Sequence, residues 1–206
     1  DVTWQTVSWD PGAPFGKPLP GGGASETGYQ MGTANMADNV LLWQFDAPPG
    51  ALQDGDTLAD ASSSGNTLTV SGGEALVAGL LGSSLEDALG GYVFVPVTAA
   101  SELNFGVSEF TWALWVKTAH DCPAANPPSG NRVYLGAEDT SDETHLWFGC
   151  SSSLGSCPTP DGTGRAGGTF CSRKAPTHDC TVFCGQRVIN DGKWHHMAIV
   201  KRGHSP

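Results

Sequence analysis

Charge is scarce in this chain. Only 15% of the residues are charged, against about 25% in an average soluble domain. The scarcity is mainly basic: 10 Lys+Arg face 21 Asp+Glu, a formal net charge of -11. A chain this acidic repels a phosphate backbone or an anionic bilayer instead of releasing counterions from it. Nucleic acid is therefore excluded as an expected partner. Long apolar runs are also absent. None approaches the roughly 18 residues of a membrane span; Tyr92–Val97 is typical of the longest. No basic segment followed by an apolar one opens the chain, so no signal peptide is expected, and Asp1 suits a mature or excised fragment.

A sustained 3.6-residue period is missing as well. The two stretches that resemble helical turns, Glu74–Leu81 and Ser84–Leu89, are cut short by Gly72, Gly79, Gly82 and Gly90. What recurs instead from Asn39 onward is short β-type runs between turn signals. These are Val40–Phe45, Thr67–Val70, Tyr92–Val97, Phe110–Lys117, Arg132–Gly136, His145–Gly149 and Trp194–Lys201. Pro96 confines its run to an edge or a strand end. In Phe110–Lys117, Phe110, Trp112, Leu114 and Val116 share one face. Trp115 lies on the other face, which predicts a strand covered on both sides. Residues 1–36 carry Pro/Gly clusters and no apolar period, and are expected as an irregular leader or linker onto whose domain Trp4, Trp9, Phe15 and Tyr29 could dock. The expected fold class is all-β, an antiparallel sandwich or jelly roll.

Six cysteines lie between Cys122 and Cys184: Cys122, Cys150, Cys157, Cys171, Cys180 and Cys184. Four of them fall in a Gly/Pro/Ser/Thr-rich stretch with little to pack. Three disulfides would substitute for core there, with fifteen pairings available. Reduced cytosolic thiols are the alternative. Zinc is disfavoured because no C-x2-C pair occurs. Low charge and clustered cysteines together point to an extracellular location, secreted or on a cell surface.

Chemistry-bearing constellations are few. Glycosidases need two carboxylates at defined separation, and no strand offers acids at i and i+2 or i+4. Glu138, Asp139, Asp142 and Glu143 cluster in what the pattern makes a solvated hairpin loop. His-Asp-Cys occurs at His120–Cys122 and again at His178–Cys180. Neighbours on a strand face opposite sides, so these tripeptides suit the flanks of one disulfide, Cys122–Cys180, better than a thiol nucleophile. His195 and His196 also alternate in face and cannot chelate one ion together. No catalytic residue is expected, and the chain is not expected to be an enzyme.

Four ordered segments carry a family resemblance. "NVLLWQFDAPPG … LADASSSGNTLTVSG", "GLLGSSLEDALGGYVFVP", "SEFTWALWVKT" and above all "RVINDGKWHHMAIVKRG" resemble LamG-like (laminin G / pentraxin / concanavalin A-like) jelly-roll domains, of the kind found in large bacterial surface or secreted proteins. The resemblance implies one domain over 37–206, with a Cys-rich loop insertion at 119–187 that the family does not require. The turn from Asp60 to Asn66 is one residue longer than the family pattern. The family's last strands find no counterpart before Pro206.

LamG-like domains often hold calcium, and Asp60 and Asn66 match the family's turn. The resemblance thus implies a calcium site there, in a stretch that also contains Asp54 and Asp56. The alternative is an Asx-type turn whose side chains bond their own backbone. The implied function is a non-catalytic extracellular binding or adhesion module recognising glycan or protein ligands at its loop ends. Trp147, Phe170, Phe183, Asn131 and Arg165 are available for recognition. A second reading is a structural subunit of a surface filament whose sandwich is completed by strands of a neighbouring chain. A third, a glycan-processing enzyme, lacks its carboxylate motif. No membrane insertion is expected.

Overall fold

The computed structural model describes residues 38–45, 47–80, 82–87, 90–96, 103, 108–120, 132–138, 144–151, 164–172 and 179–202. The expected leader lies outside them. The described chain is all-β: it contains no helix, and every strand ladder is antiparallel. No described helix is long and apolar enough to cross a membrane. The chain forms two compact units, one ending at Pro96 and one beginning at Val97.

The first unit contains β1 (Gly50–Ala51), β2 (Thr57–Leu58), β3 (Leu68–Ser71), β4 (Ala75–Ala78), β5 (Ser83–Glu86) and β6 (Tyr92–Phe94). They form two three-stranded sheets, ordered β1-β4-β5 and β2-β3-β6. Strand periodicity sends alternate side chains inward. Leu58, Leu68, Val70 and Leu76 meet in one core, with Trp43, Phe45, Leu52, Leu85 and Val93 packed around it. Each such side chain contributes about 1.5–3 kcal/mol by leaving water.

Two expectations fail here. The stretches expected as helical turns are β4 and β5, a hairpin closed by the hydrogen bond from Gly79 N to Gly82 O at 2.8 Å. Strands of four residues are too short to show a period, and the glycines that seemed to interrupt helices form the turn. Val40–Phe45 is not a laddered strand. It is held by side chains, as described below.

The second unit contains β7 (Phe110–Lys117), β8 (Arg132–Glu138), β9 (Thr144–Ser151), β10 (Arg165–Ser172), β11 (Asp179–Val188) and β12 (Trp194–Lys201). β7 pairs with β12 along all eight residues, from Phe110 opposite Lys201 to Lys117 opposite Trp194. Between them in sequence runs a four-stranded meander, ordered β11-β10-β9-β8. The stretch 119–187, expected as a loop insertion, therefore carries the larger sheet of its unit. Its inner face packs on the β7–β12 pair. Phe148 and Cys150 of β9 meet Met197 of β12 and Ile189, with Trp112, Leu114 and Val116 of β7 against them. Phe110, Leu146 and Phe170 extend the same interface. The unit is a small β-sandwich of four strands on two.

The outer face of β7 is open. Thr111, Ala113, Trp115 and Lys117 are all exposed, so the expected cover on both sides is not found among the described residues. Glycine has a specific use in β10. A Cβ on Gly168 would collide with the backbone carbonyl of Trp147 on β9 and with the Phe183 ring of β11. Gly168 lets an aromatic ring lie across the strand where an alanine would force the sheet apart.

Candidate functional site

Asp60 organises the polar side of the first unit. Its Oδ1 accepts from Leu42 N at 2.8 Å and from Ser62 N at 2.9 Å. Its Oδ2 accepts from Ser62 Oγ at 2.6 Å and from Asn66 N at 2.8 Å. Asn66 completes the tie: its Nδ2 donates to Val40 O at 2.8 Å, and its carbonyl accepts from Trp43 Nε1 at 3.2 Å. Ala61 N donates to Leu42 O at 2.8 Å. Segment 40–45 thus gains from two side chains what a ladder would have supplied. Burial pushes the Asp60 carboxyl up. The hydrogen bonds from Ser62, Leu42 and Asn66 outweigh it and hold the carboxyl below its ordinary value.

The pair predicted to bind calcium is therefore brought together, but in the arrangement of an Asx-type turn. Each carboxylate oxygen already takes two protein donors, and a cation would have to displace them. Asp54 and Asp56 face their own turns, with Asp54 Oδ1 accepting from Gly72 N at 3.1 Å and Asp56 Oδ2 from Gln53 N at 2.8 Å. Among the described residues, no group of three or more His, Cys, Asp or Glu side chains is placed to hold a metal ion.

Glu74 is a residue that sequence patterning missed. It is 3% exposed, and neither carboxyl oxygen has a hydrogen-bond partner. Oε1 lies against Gly91, whose lack of a side chain makes the room. Gly72, with φ of 100° and its own close approach to Gly91, shapes the same corner. Burial, and after it the negative charge of Asp87, push the Glu74 carboxyl above its ordinary value. The only sequence signal was an acid directly after the Gly72-Gly73 pair. Sealed beneath Gly91, this carboxyl is not open to a substrate.

In the second unit the two histidines separate as strand alternation demands. His195 is half-buried and bonds Asp191 Oδ1 through Nε2 at 2.7 Å. That bond, with one from Lys193 N, lowers the Asp191 carboxyl. His196 is exposed on the opposite face. It stacks on Trp115, with centroids 5.1 Å apart and rings tilted by 56°. Trp115 is 49% exposed. On one side of it the open face carries small or slender side chains, Ala113 opposite Ala198 and Thr111 opposite Val200; on the other it carries Lys117 opposite Trp194.

The aromatic residues expected to recognise ligands are placed otherwise. Trp147 is 6% exposed and Phe170 is 9% exposed, so both are core. Phe183 packs on Phe148. Arg165 is half-buried, and Asn131 lies outside the described residues, as do Asp139, Asp142 and Glu143. Among the described cysteines none is a free thiol: Cys150, Cys171 and Cys184 are disulfide-bonded. Cys122 and Cys157 lie outside the described residues. The backbone of Cys180 stands directly opposite Cys171 across the β10–β11 ladder; the expected Cys122–Cys180 pairing involves Cys122, outside the described residues. The chain matches no protein-family model, no curated protein and no solved structure.

Two predictions follow from the carboxyls. Asp60→Ala strands several backbone donors and should cost on the order of 2–3 kcal/mol. Asp60 has a lowered value, so its contribution should be complete above about pH 4 and fade as pH falls through the folded value. Melting of the wild type should not move with millimolar calcium or with chelator; a calcium-dependent rise would make Asp60 and Asn66 ligands instead. Glu74 has the opposite sign. Its raised value means that the native state is penalised as pH rises and the buried carboxyl must ionise. Glu74→Met should therefore stabilise the protein at pH 8 by about 1–3 kcal/mol, with the difference shrinking toward pH 5. Thermal melts across that range check this, and a pH-independent difference would contradict it.

Proposed function

We propose that this chain is a non-catalytic extracellular binding module, built as a LamG-like jelly roll, that recognises a glycan on the open face of β7–β12. The observation that carries the reading is Trp115. Trp115 is a half-exposed indole on the outer face of a strand pair, braced by His196, with Ala113 and Ala198 on one side and Lys117 and Trp194 on the other. Sugar rings stack their apolar C–H faces on such surfaces while their hydroxyls remain in water, as other amphipathic partners of exposed aromatics do. Thr111 on the same face adds a hydroxyl donor and acceptor.

Two further observations support the reading. A chain with 15% charged residues suits a neutral polyhydroxylated ligand better than a strongly ionic one. The bonded state of Cys150, Cys171 and Cys184 suits an oxidising compartment outside the cell. The non-catalytic part rests on the described carboxylates: among them the one whose value is raised, Glu74, is sealed from solvent.

An array of neutral oligosaccharides, followed by calorimetric titration of the best binder, tests the proposal. Trp115→Ala should weaken that binding at least about tenfold, equivalent to about 1.4 kcal/mol, while leaving the melting temperature nearly unchanged. An array without binders, or equal affinity in the variant, would contradict it.

A further inference from the structure

Alternation along β6 divides its side chains. Val93 packs against the core of the first unit, as does Val95 just beyond the strand. Tyr92 and Phe94 therefore point outward, and they are 60% and 38% exposed. Their rings stand 5.7 Å apart, centroid to centroid, with the planes inclined by 49°. A single exposed apolar residue needs no explanation. Two rings side by side on one strand, among neighbours of one chemical kind, are a different case.

The strand register supplies those neighbours. Phe94 stands opposite Thr69, which in turn stands opposite Thr57, and Tyr92 stands opposite Ser71. Residues directly opposite each other share a face of the sheet. The outer face of β2-β3-β6 therefore carries Tyr92 and Phe94 and, beside them, the hydroxyls of Thr57, Thr69 and Ser71. None of these residues is Asp, Glu, Lys, Arg or His. Asp54 stands at one end of the face, where its Oδ1 accepts from Gly72 N at 3.1 Å.

We propose that this face is a second saccharide site and that it takes a curved, neutral glycan. Each feature asks for one property of the ligand. The aromatic rings stack on the apolar C–H faces of sugar rings, and the hydroxyls exchange hydrogen bonds with those of the sugar. Rings inclined by 49° cannot both lie flat on a planar ribbon; they meet successive units of a chain that bends. Charge agrees. The face is uncharged, Asp54 closes one end, and the net charge of the chain is -11, so an anionic sugar is repelled. Size excludes a folded protein as the occupant. Three strands at about 4.8 Å spacing and two rows of side chains make a patch about 10 Å wide and about 7 Å long. A stable protein interface buries about 800 Å² on each partner, several times what this patch offers. The inference extends glycan binding to the first unit and uses neither Trp115 nor the β7–β12 face.

The probes are a malto-oligosaccharide, whose α-linked glucose chain curves, and a cello-oligosaccharide of the same length, whose β-linked chain is flat. Both are titrated by calorimetry into the full chain carrying Trp115→Ala, so that binding at the first unit is read alone. They are titrated again after adding Tyr92→Ala or Tyr92→Phe, exposed substitutions that should leave thermal melting unchanged. The curved chain should bind at least about tenfold more tightly than the flat one. Tyr92→Ala should weaken that binding at least about tenfold, and Tyr92→Phe, which keeps the ring, should retain it. No saturable binding in the Trp115→Ala chain would overturn the proposal and leave the glycan, if the wild type binds one, on the second unit alone. Equal affinity for the two probes, or unchanged affinity after Tyr92→Ala, would also overturn it. So would sedimentation showing a dimer that Tyr92→Ala dissociates, since a second copy would then cover the rings.

Discussion

The second unit depends on one contact, the inner face of a four-stranded meander laid on a pair of strands. Phe148 and Met197 stand at its centre, and Leu146, Phe170 and Phe110 extend it. Among the described residues, two strands face four, and a cleft of about 380 Å³ lies between β11 and β12. The outer face of β7–β12 points away from the larger sheet, and Trp115 is exposed there. A sandwich with matched sheets would have neither the cleft nor the same freedom at the β12 edge.

The first unit shows two ways of handling a carboxylate without a cationic partner. Asp60 is surrounded by N–H and O–H donors, so its charge is stabilised and it works as a staple for segment 40–45. Glu74 has burial without donors and a second acid, Asp87, nearby. The same functional group supports the fold in one place and opposes it above its raised ionisation point in the other. Local donor supply decides between them, and neither outcome follows from residue type alone.

Much of the fold was legible where the sequence alternated over eight residues. Phe110–Lys117 and Trp194–Lys201 appear in the structure with the bounds their patterns predict, and the inward set of β7 is the expected one. Legibility failed where strands were short or rich in glycine. β4 and β5 looked helical because four residues cannot distinguish two periods. β10 was invisible because Gly167 and Gly168 hold positions where a pattern would show side chains, and the reason for Gly168, a ring and a carbonyl from neighbouring strands, is purely tertiary. The candidate sites divide similarly. The Asp60–Asn66 turn was visible as a local motif, and its chemistry remained open until the donors were placed. Trp115 was visible only as a residue on the second face of a strand; its exposure was not, because an apolar residue there reads as covered on both sides. The β11–β12 cleft joins strands of which one, β11, was hidden within a stretch expected to be a loop.

The most direct test of this account is residue-resolved hydrogen exchange along β12 in the full chain. Unequal layering predicts alternation: amides that bond β7 should be protected, and those on the open edge should exchange nearly as fast as unstructured peptide. Uniform protection along Trp194–Lys201 would show that the edge is already paired within the molecule, and the central claim of a two-stranded layer with an open flank would then be wrong.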